Sequence, residues 1–177
     1  EAQEVGEGAS GRNSGFAIDL PHNVGSALEE LEGSQRDLRL SRAAIELLEA
    51  TVRGAGIACQ WSHAGKYHAA VSDWGVRTIL EPYARELERL GEPFRWLEGD
   101  ALAAEVGTAY HRAAIHTPGG ALMNPAALTR GLADSLPEAV ALHARSPVVR
   151  WSRDNGIRLE TPKGSVFAPN LIVAPNG

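Results

Sequence analysis

Cysteine is almost absent from this sequence. Cys59 is the only one, so neither an intrachain disulfide nor a cysteine-based metal site can form. Lysine and arginine make no run, and the formal net charge is −5, which disfavours a nucleic-acid or anionic-membrane surface. No apolar run approaches the roughly 18 residues of a membrane span, and no secretory leader is legible, so a cytoplasmic location is expected. A serine-hydrolase elbow, internal repeats and low-complexity tracts are also missing. No methionine opens the chain. It begins abruptly at Glu1 and stops at Gly177 after an apolar run, which reads as an internal piece of a longer protein. What remains is ordinary: 177 residues, 44% apolar and 22% charged, the profile of one globular domain or most of one.

Glycine, by contrast, is concentrated. Residues 6–16 read GEGASGRNSGF, and the first six match G-x-G-x-x-G. A dinucleotide turn follows a buried strand and opens a helix. Before Gly6 stands only EAQEV. After Gly11 comes RNSGFAIDLPHN, which has no helical period and runs into Pro21. The letter match is therefore read as accidental. The loop still places Ser10, Arg12, Asn13 and Ser14 between bare glycines, a combination suited to a phosphate or a polar ring edge.

Periodicity organises the rest. Residues 35–53 predict a helix with Leu40, Ala44, Leu47, Leu48 and Val52 near one face. IACQWSHAGKYHAAVS reads as extended, with a turn or bulge at Gly65. ILEPYARELERLG predicts a helix carrying Leu80, Tyr83, Leu87 and Leu90 on one stripe and ending at Gly91, with Pro82 starting or kinking its regular part. FRWLEG reads as a strand and DALAAEVG as a short helix capped by Asp100. An extended run then reaches the turn Pro118-Gly119-Gly120. Asn124 is expected to cap a helix whose first position is Pro125, with Leu128, Leu132 and Leu136 buried and Pro137 as the stop. AVALHAR, VVRWS, IRLET, SVFA and LIVA read as short strands, with turns at DNG and PKG. Helices mixed with short antiparallel strands give an α+β, or mixed α/β, fold class.

The six histidines do not suggest a metal site. His63 and His68 are five apart, as are His111 and His116. That spacing splits each pair between strand faces and misses the i, i+4 geometry of a helix. His22, near the glycine loop, is the one histidine to watch as an active-site neighbour, and a surface-loop position after Pro21 is the favoured reading for it. Cys59 reads as a small core residue, and Trp61, Trp74, Trp96 and Trp151 are too dispersed for an aromatic cage.

The hexamer Gly8-Ala9-Ser10-Gly11-Arg12-Asn13, followed in order by GALMNPAALTRGLADSL and SPVVRWSRDNGIRLETPKGSVFAPNLIVAPNG, resembles the FAD-dependent amine and amino-acid oxidoreductases of the D-amino-acid oxidase-like superfamily. The resemblance is to the branch with glycine and sarcosine oxidases and gamma-glutamylputrescine oxidoreductase, and it covers most of the chain. It implies part of an FAD-binding Rossmann-like domain joined to part of an antiparallel-sheet substrate domain. Residues 1–34 would be an FAD-binding segment. Residues 35–136 would be helices and strands shared between the two domains, and 137–177 a β-meander returning to the FAD-binding domain. The first strand, the true G-x-G-x-x-G turn and the first helix would precede Glu1, and the rest of the substrate domain would follow Gly177. Pro175 and Asn176 depart from the family's usual Thr or Cys.

The resemblance further implies that Glu1 grips the adenosine ribose. Ser10, Gly11, Arg12 and Asn13 would hold the FAD pyrophosphate, with Ala9 also among the cofactor-binding residues. Ser14, Gly15 and Phe16 would lie near the flavin, and the backbone of Val148 or Val149 would meet the adenine. The expected cofactor is FAD, the expected substrate a small amine or amino acid, and no nucleic acid, metal or membrane span is expected. The implied reaction passes a hydride from the amine-bearing carbon to flavin, with the carboxylate-binding residues outside this chain. Two other functions fit the same residues: a non-catalytic α+β ligand-binding domain, and a flavoprotein oxidising a 2-hydroxy acid.

Overall fold

The computed structural model describes residues 1–20, 31–153 and 155–174. His22, Pro21, Asp154 of the DNG turn and the terminal Pro175-Asn176-Gly177 lie outside the described residues. The elements in order are β1 (Phe16–Ala17), α1 (Leu31–Gly54), β2 (Lys66–Ala70), α2 (Asp73–Gly75), α3 (Glu81–Leu90), β3 (Arg95–Glu98), α4 (Gly99–Val106), β4 (Ala113–Thr117), β5 (Ala121–Leu122), α5 (Pro125–Asp134), β6 (Arg150–Arg153), β7 (Ile157–Thr161) and β8 (Gly164–Ala168). Every strand pair among the described residues is antiparallel, in line with the α+β expectation. The chain forms two compact units: Glu1–Gly15 with Thr51–Cys59 and Asn124–Gly177, and Phe16–Ala50 with Gln60–Met123.

The second unit is built on a three-stranded sheet in the order β2-β4-β3. Alternation along β2 and β4 gives it two apolar faces. Ala70, Ala113 and Ile115 pack on one side with Leu80, Tyr83 and Leu87, joined by Leu20 and Leu38. Leu97 and Ala114 pack on the other with Leu102 and Val106 of α4. The stripe Leu80, Tyr83 and Leu87 is buried as its spacing predicts. Gly91 closes α3 in the left-handed conformation, φ 72°, where a β-carbon is disfavoured. Pro82 starts α3, and the residues before it, Val76–Leu80, form a π-helical turn. A two-residue ladder pairs Phe16 with Leu122 and Ala17 with Ala121.

α1 buries a different face from the one its leucines suggest. Leu38 and Val52 are buried, whereas Leu40 and Leu47 are exposed. The helix carries apolar residues on two sides, and packing selects one. Asp100 is not a cap either: Glu98 occupies the cap position of α4 and Asp100 lies in its first turn, where a carboxylate favours the helix dipole.

In the first unit Asn124 caps α5 as expected, its Oδ1 accepting from Ala127 N at 3.0 Å, and Pro125 takes the first helical position. Gly131 of α5 lies against Ile57, where a β-carbon would overlap that side chain. Leu128 and Leu132 are half-buried, and Leu136 lies past the helix end, 41% exposed. The stripe is therefore only partly covered. β6, β7 and β8 form the expected meander, and Asn155 supplies its left-handed turn residue, φ 51°.

Two expected strands are absent. AVALHAR forms no ladder with the meander, because its end is engaged by the chain start. Ser146 N donates to Glu1 O at 2.9 Å and Arg145 N to Gln3 O at 3.1 Å. LIVA has no strand partner among the described residues, and Ile172 and Val173 are exposed.

Candidate functional site: a glycine turn beside two clefts

The glycine-rich stretch folds into a closed coil of main chain. Gly8 is extended and leads into a single 3-10 turn over Ala9–Gly11. Gly11 N donates to Gly8 O at 3.1 Å, and Arg12 N to Ala9 O at 3.2 Å. Asn13 locks the coil. Its Nδ2 donates to Ala9 O at 3.1 Å and to Ser10 O at 3.0 Å, while its Oδ1 accepts from Gly15 N at 2.8 Å. Gly15 is buried with φ 77°, a conformation that glycine alone adopts freely. No α-helix follows; β1 does. The G-x-G-x-x-G match thus lacks the helix N-terminus of a dinucleotide turn, as its sequence context indicates.

Two of these glycines have opposite surroundings. A β-carbon on Gly11 would overlap the carbonyl of Gly6, so the coil closes only with glycine there. At Gly8 nothing lies within 4 Å of an added β-carbon, which leaves its backbone open to approach. Ala9, Ser10, Arg12, Asn13 and Ser14 are exposed. Arg12 has no ion pair among the described residues. Its surface candidates are engaged elsewhere: Asp19 by Arg42 at 3.1 Å, and Glu7 by the amide of Glu4 at 3.2 Å.

The first unit contains two clefts that share Glu1 and Leu142. The smaller, about 320 Å³, brings Glu1 together with Gly8, Ser10, Thr129 and Leu132. The larger, about 570 Å³, brings Glu1 together with Ser146, Val148, Leu159 and Lys163. Glu1 is fixed at this junction by main-chain bonds: its N donates to His143 O at 3.0 Å and its O accepts from Ser146 N. Its Oε1 accepts from Gln3 N at 3.1 Å. Val148 is 52% exposed. The structure therefore gathers Glu1, Ser10 and Val148, three residues separated by up to 147 positions. Ala9, Gly11, Arg12, Asn13, Ser14 and Gly15 shape the coil but line neither of these clefts.

Two contributors are not legible in the sequence. Thr129 Oγ1 donates to Ser10 O at 3.2 Å and to Pro125 O at 2.8 Å, tying the coil to α5. Leu142 belongs to a segment that reads as a strand, yet it lines both clefts. The one available signal for Thr129 is its place one helical turn after Pro125, on the face where a hydroxyl reaches back along the helix. Among the described residues no group of three or more His, Cys, Asp or Glu could hold a metal ion, and no helix is long and apolar enough to cross a membrane.

Known proteins resemble the chain along nearly all of its length. The family model described as FAD dependent oxidoreductase, DAO, matches residues 1–177. The chain is 26% identical over 181 residues to gamma-glutamylputrescine oxidoreductase of Escherichia coli (strain K12), covering 99% of this chain and 42% of that protein. Among solved structures it superposes on glycine oxidase from Geobacillus kaustophilus with TM-score 0.78 at 21% identity, covering 96% of this chain and 45% of that one. It superposes on L-amino acid deaminase from Proteus vulgaris with TM-score 0.68 at 13% identity, covering 98% and 40%. These structural likenesses show the fold, and the chain spans less than half the length of these relatives. Matched from its first residue to its last, the chain belongs to the FAD dependent oxidoreductase family, DAO.

Proposed function

We propose that these residues form the FAD-gripping part of an enzyme that dehydrogenates a small amine or amino acid. The observation that carries the reading is the meeting of Glu1, Ser10 and Val148 on two clefts sharing Glu1 and Leu142, beside a closed glycine turn. The residues present suit an extended dinucleotide. An open main chain at Gly8, an exposed carboxylate at Glu1 and an exposed guanidinium at Arg12 face solvent without competing ion pairs to Arg12 among the described residues.

On this reading the Glu1 carboxylate accepts hydrogen bonds from the ribose hydroxyls, and Val148 meets the adenine through its backbone. Main-chain amides of Ala9, Ser10 and Asn13, with the Arg12 guanidinium, hold the pyrophosphate by charge-assisted hydrogen bonds, the amides of Gly11 and Arg12 being engaged inside the coil. Asn13 contributes by shape, since its side chain is wholly engaged in the coil. Ser14, Gly15 and Phe16 continue toward the flavin ring. When bound, FAD would accept a hydride equivalent from the amine-bearing carbon, and water would hydrolyse the resulting imine to a carbonyl compound and ammonia or an amine. The chain's own residues bind and orient; no acid or base is assigned among them. A cytoplasmic location belongs to the same reading.

The test uses the protein at its full length. It should purify with flavin absorbance, and anaerobic addition of a small amine or amino acid should bleach it. A colourless protein that fails to take up FAD would overturn the reading. Bleaching by 2-hydroxy acids but by no amine would overturn its substrate class.

A further inference from the structure

The second unit holds a cluster of polar side chains that the cofactor reading does not use. Lys66 opens β2 and is half-buried. Its Nζ donates to Tyr83 Oη at 3.5 Å and lies 5.6 Å from the centre of the Tyr83 ring. Thr117 is its cross-strand partner on β4 and is 1% exposed. The Thr117 hydroxyl has no hydrogen-bond partner among the described residues. Asp19 accepts from Arg42 at 3.1 Å, Arg42 also binds Glu92 through both terminal nitrogens, and the His68 ring stands edge-on to Tyr83 at 4.9 Å.

Composition sharpens the point. Of the 17 lysine and arginine residues only Lys66 and Lys163 are lysines. An arginine does not give up its proton in a protein, whereas a lysine does when burial disfavours its charge. Burial pulls the Lys66 ammonium below the usual lysine range, opposed by the charge of Asp19. The Tyr83 phenol moves the other way. Burial pushes it up to about 12, reinforced by the charges of Asp19 and Glu92, so it keeps its proton at every ordinary pH. An amine whose charge is disfavoured by burial therefore sits beside a hydroxyl that stays protonated, with a second, unengaged hydroxyl across the ladder.

We propose that Lys66 is a carbonyl-capturing amine: its ε-nitrogen, 3.5 Å from the Tyr83 hydroxyl and carried by the residue paired across the ladder with Thr117, forms an imine with a small aldehyde. The nitrogen lone pair attacks the carbonyl carbon, and a nitrogen proton passes to the carbonyl oxygen to give a carbinolamine. The carbinolamine hydroxyl leaves as water with a proton from Tyr83, the C=N bond forms, and the phenol recovers its proton from the nitrogen. One amine and one aldehyde give one imine and one water, with no change of oxidation state. The cluster belongs to the second unit, and its readout is independent of flavin.

The two lysines provide an internal comparison. The full-length protein, its flavin removed so that Lys163 in the larger cleft is uncovered, is incubated near neutral pH with acetaldehyde and cyanoborohydride, and ethylation of the peptides containing Lys66 and Lys163 is compared by mass spectrometry. Lys66 should label several-fold faster than the exposed Lys163, and the ratio should fall at strongly alkaline pH, where both amines are free. Equal or slower labelling of Lys66 near neutral pH would overturn the proposal. In Tyr83→Phe, checked for a native melting profile, labelling at Lys66 should slow several-fold while Lys163 is unaffected. An unchanged Lys66 rate in that variant would remove the phenol from the mechanism.

Discussion

The carbonyl oxygen of Gly6 occupies the space that a β-carbon on Gly11 would need. The glycine turn is closed by main chain packing on main chain, and the cofactor reading depends on that closure. Gly11→Ala should force the coil open at a cost of about 1–3 kcal/mol. Where the coil holds cofactor, that is roughly tenfold or more in FAD affinity. Gly33→Ala in α1, outside both clefts and with open space around the new methyl group, should leave affinity nearly unchanged. Flavin retention after gel filtration of the two full-length variants checks the contrast; equal retention would mean that the coil's shape does not matter to the cofactor.

Asn124 satisfies an otherwise open amide at the start of α5, the helix to which Thr129 ties the coil. Asn124→Ala should lower stability by about 1 kcal/mol, and Asn124→Asp should recover most of it, because a carboxylate caps equally well. Urea denaturation of the three proteins measures the difference.

Tyr83 makes a pH prediction with a definite sign. The folded-state value of about 12 lies above the value of about 10 in an unfolded chain. The phenol's contribution is therefore complete below about pH 10 and shrinks as pH rises from there towards about 12, because the unfolded chain loses its proton first. Stability should fall by about 1.4 kcal/mol per pH unit across that window from this group. Tyr83→Phe should lack that component. Denaturation measured at stepped alkaline pH, with phenolate absorbance as the titration signal, resolves it.

Sequence and structure part company at identifiable places. The stripe Leu80, Tyr83 and Leu87 was legible because one helix face carries nearly all its large apolar residues. The α5 cap was legible because Asn-Pro has a single local meaning at a helix start. α1 was misread because Leu40 and Leu47 lie opposite Leu38 and Val52, and periodicity alone cannot choose between two apolar faces. AVALHAR was misread because its partner is the chain start: Arg145 bonds to Gln3, 142 positions away. For the candidate site, the glycine coil could be read from composition, but its meeting with Glu1 and Val148 is tertiary, and no local pattern encodes it. The Lys66 cluster was invisible for the same reason: its members come from β2, β4, α3 and the segment after β1.

Leu87 is fully buried at the centre of the second unit's larger core. Leu87→Ala should destabilise by about 2–5 kcal/mol, the cost of a cavity where the surroundings cannot collapse. Because the change lies far along the sequence from the coil, flavin bound per folded molecule should stay constant while the melting temperature drops. Calorimetry paired with flavin quantitation separates the two effects.

The central claim is that main chain over residues 8–15 enfolds FAD. Amide hydrogen exchange on the full-length protein, with its flavin removed and then restored, tests it most directly. The account predicts slowed exchange across residues 8–15 and in the segment around Val148 when FAD returns. FAD that rebinds, restores flavin absorbance and leaves exchange in those two segments unchanged would contradict it.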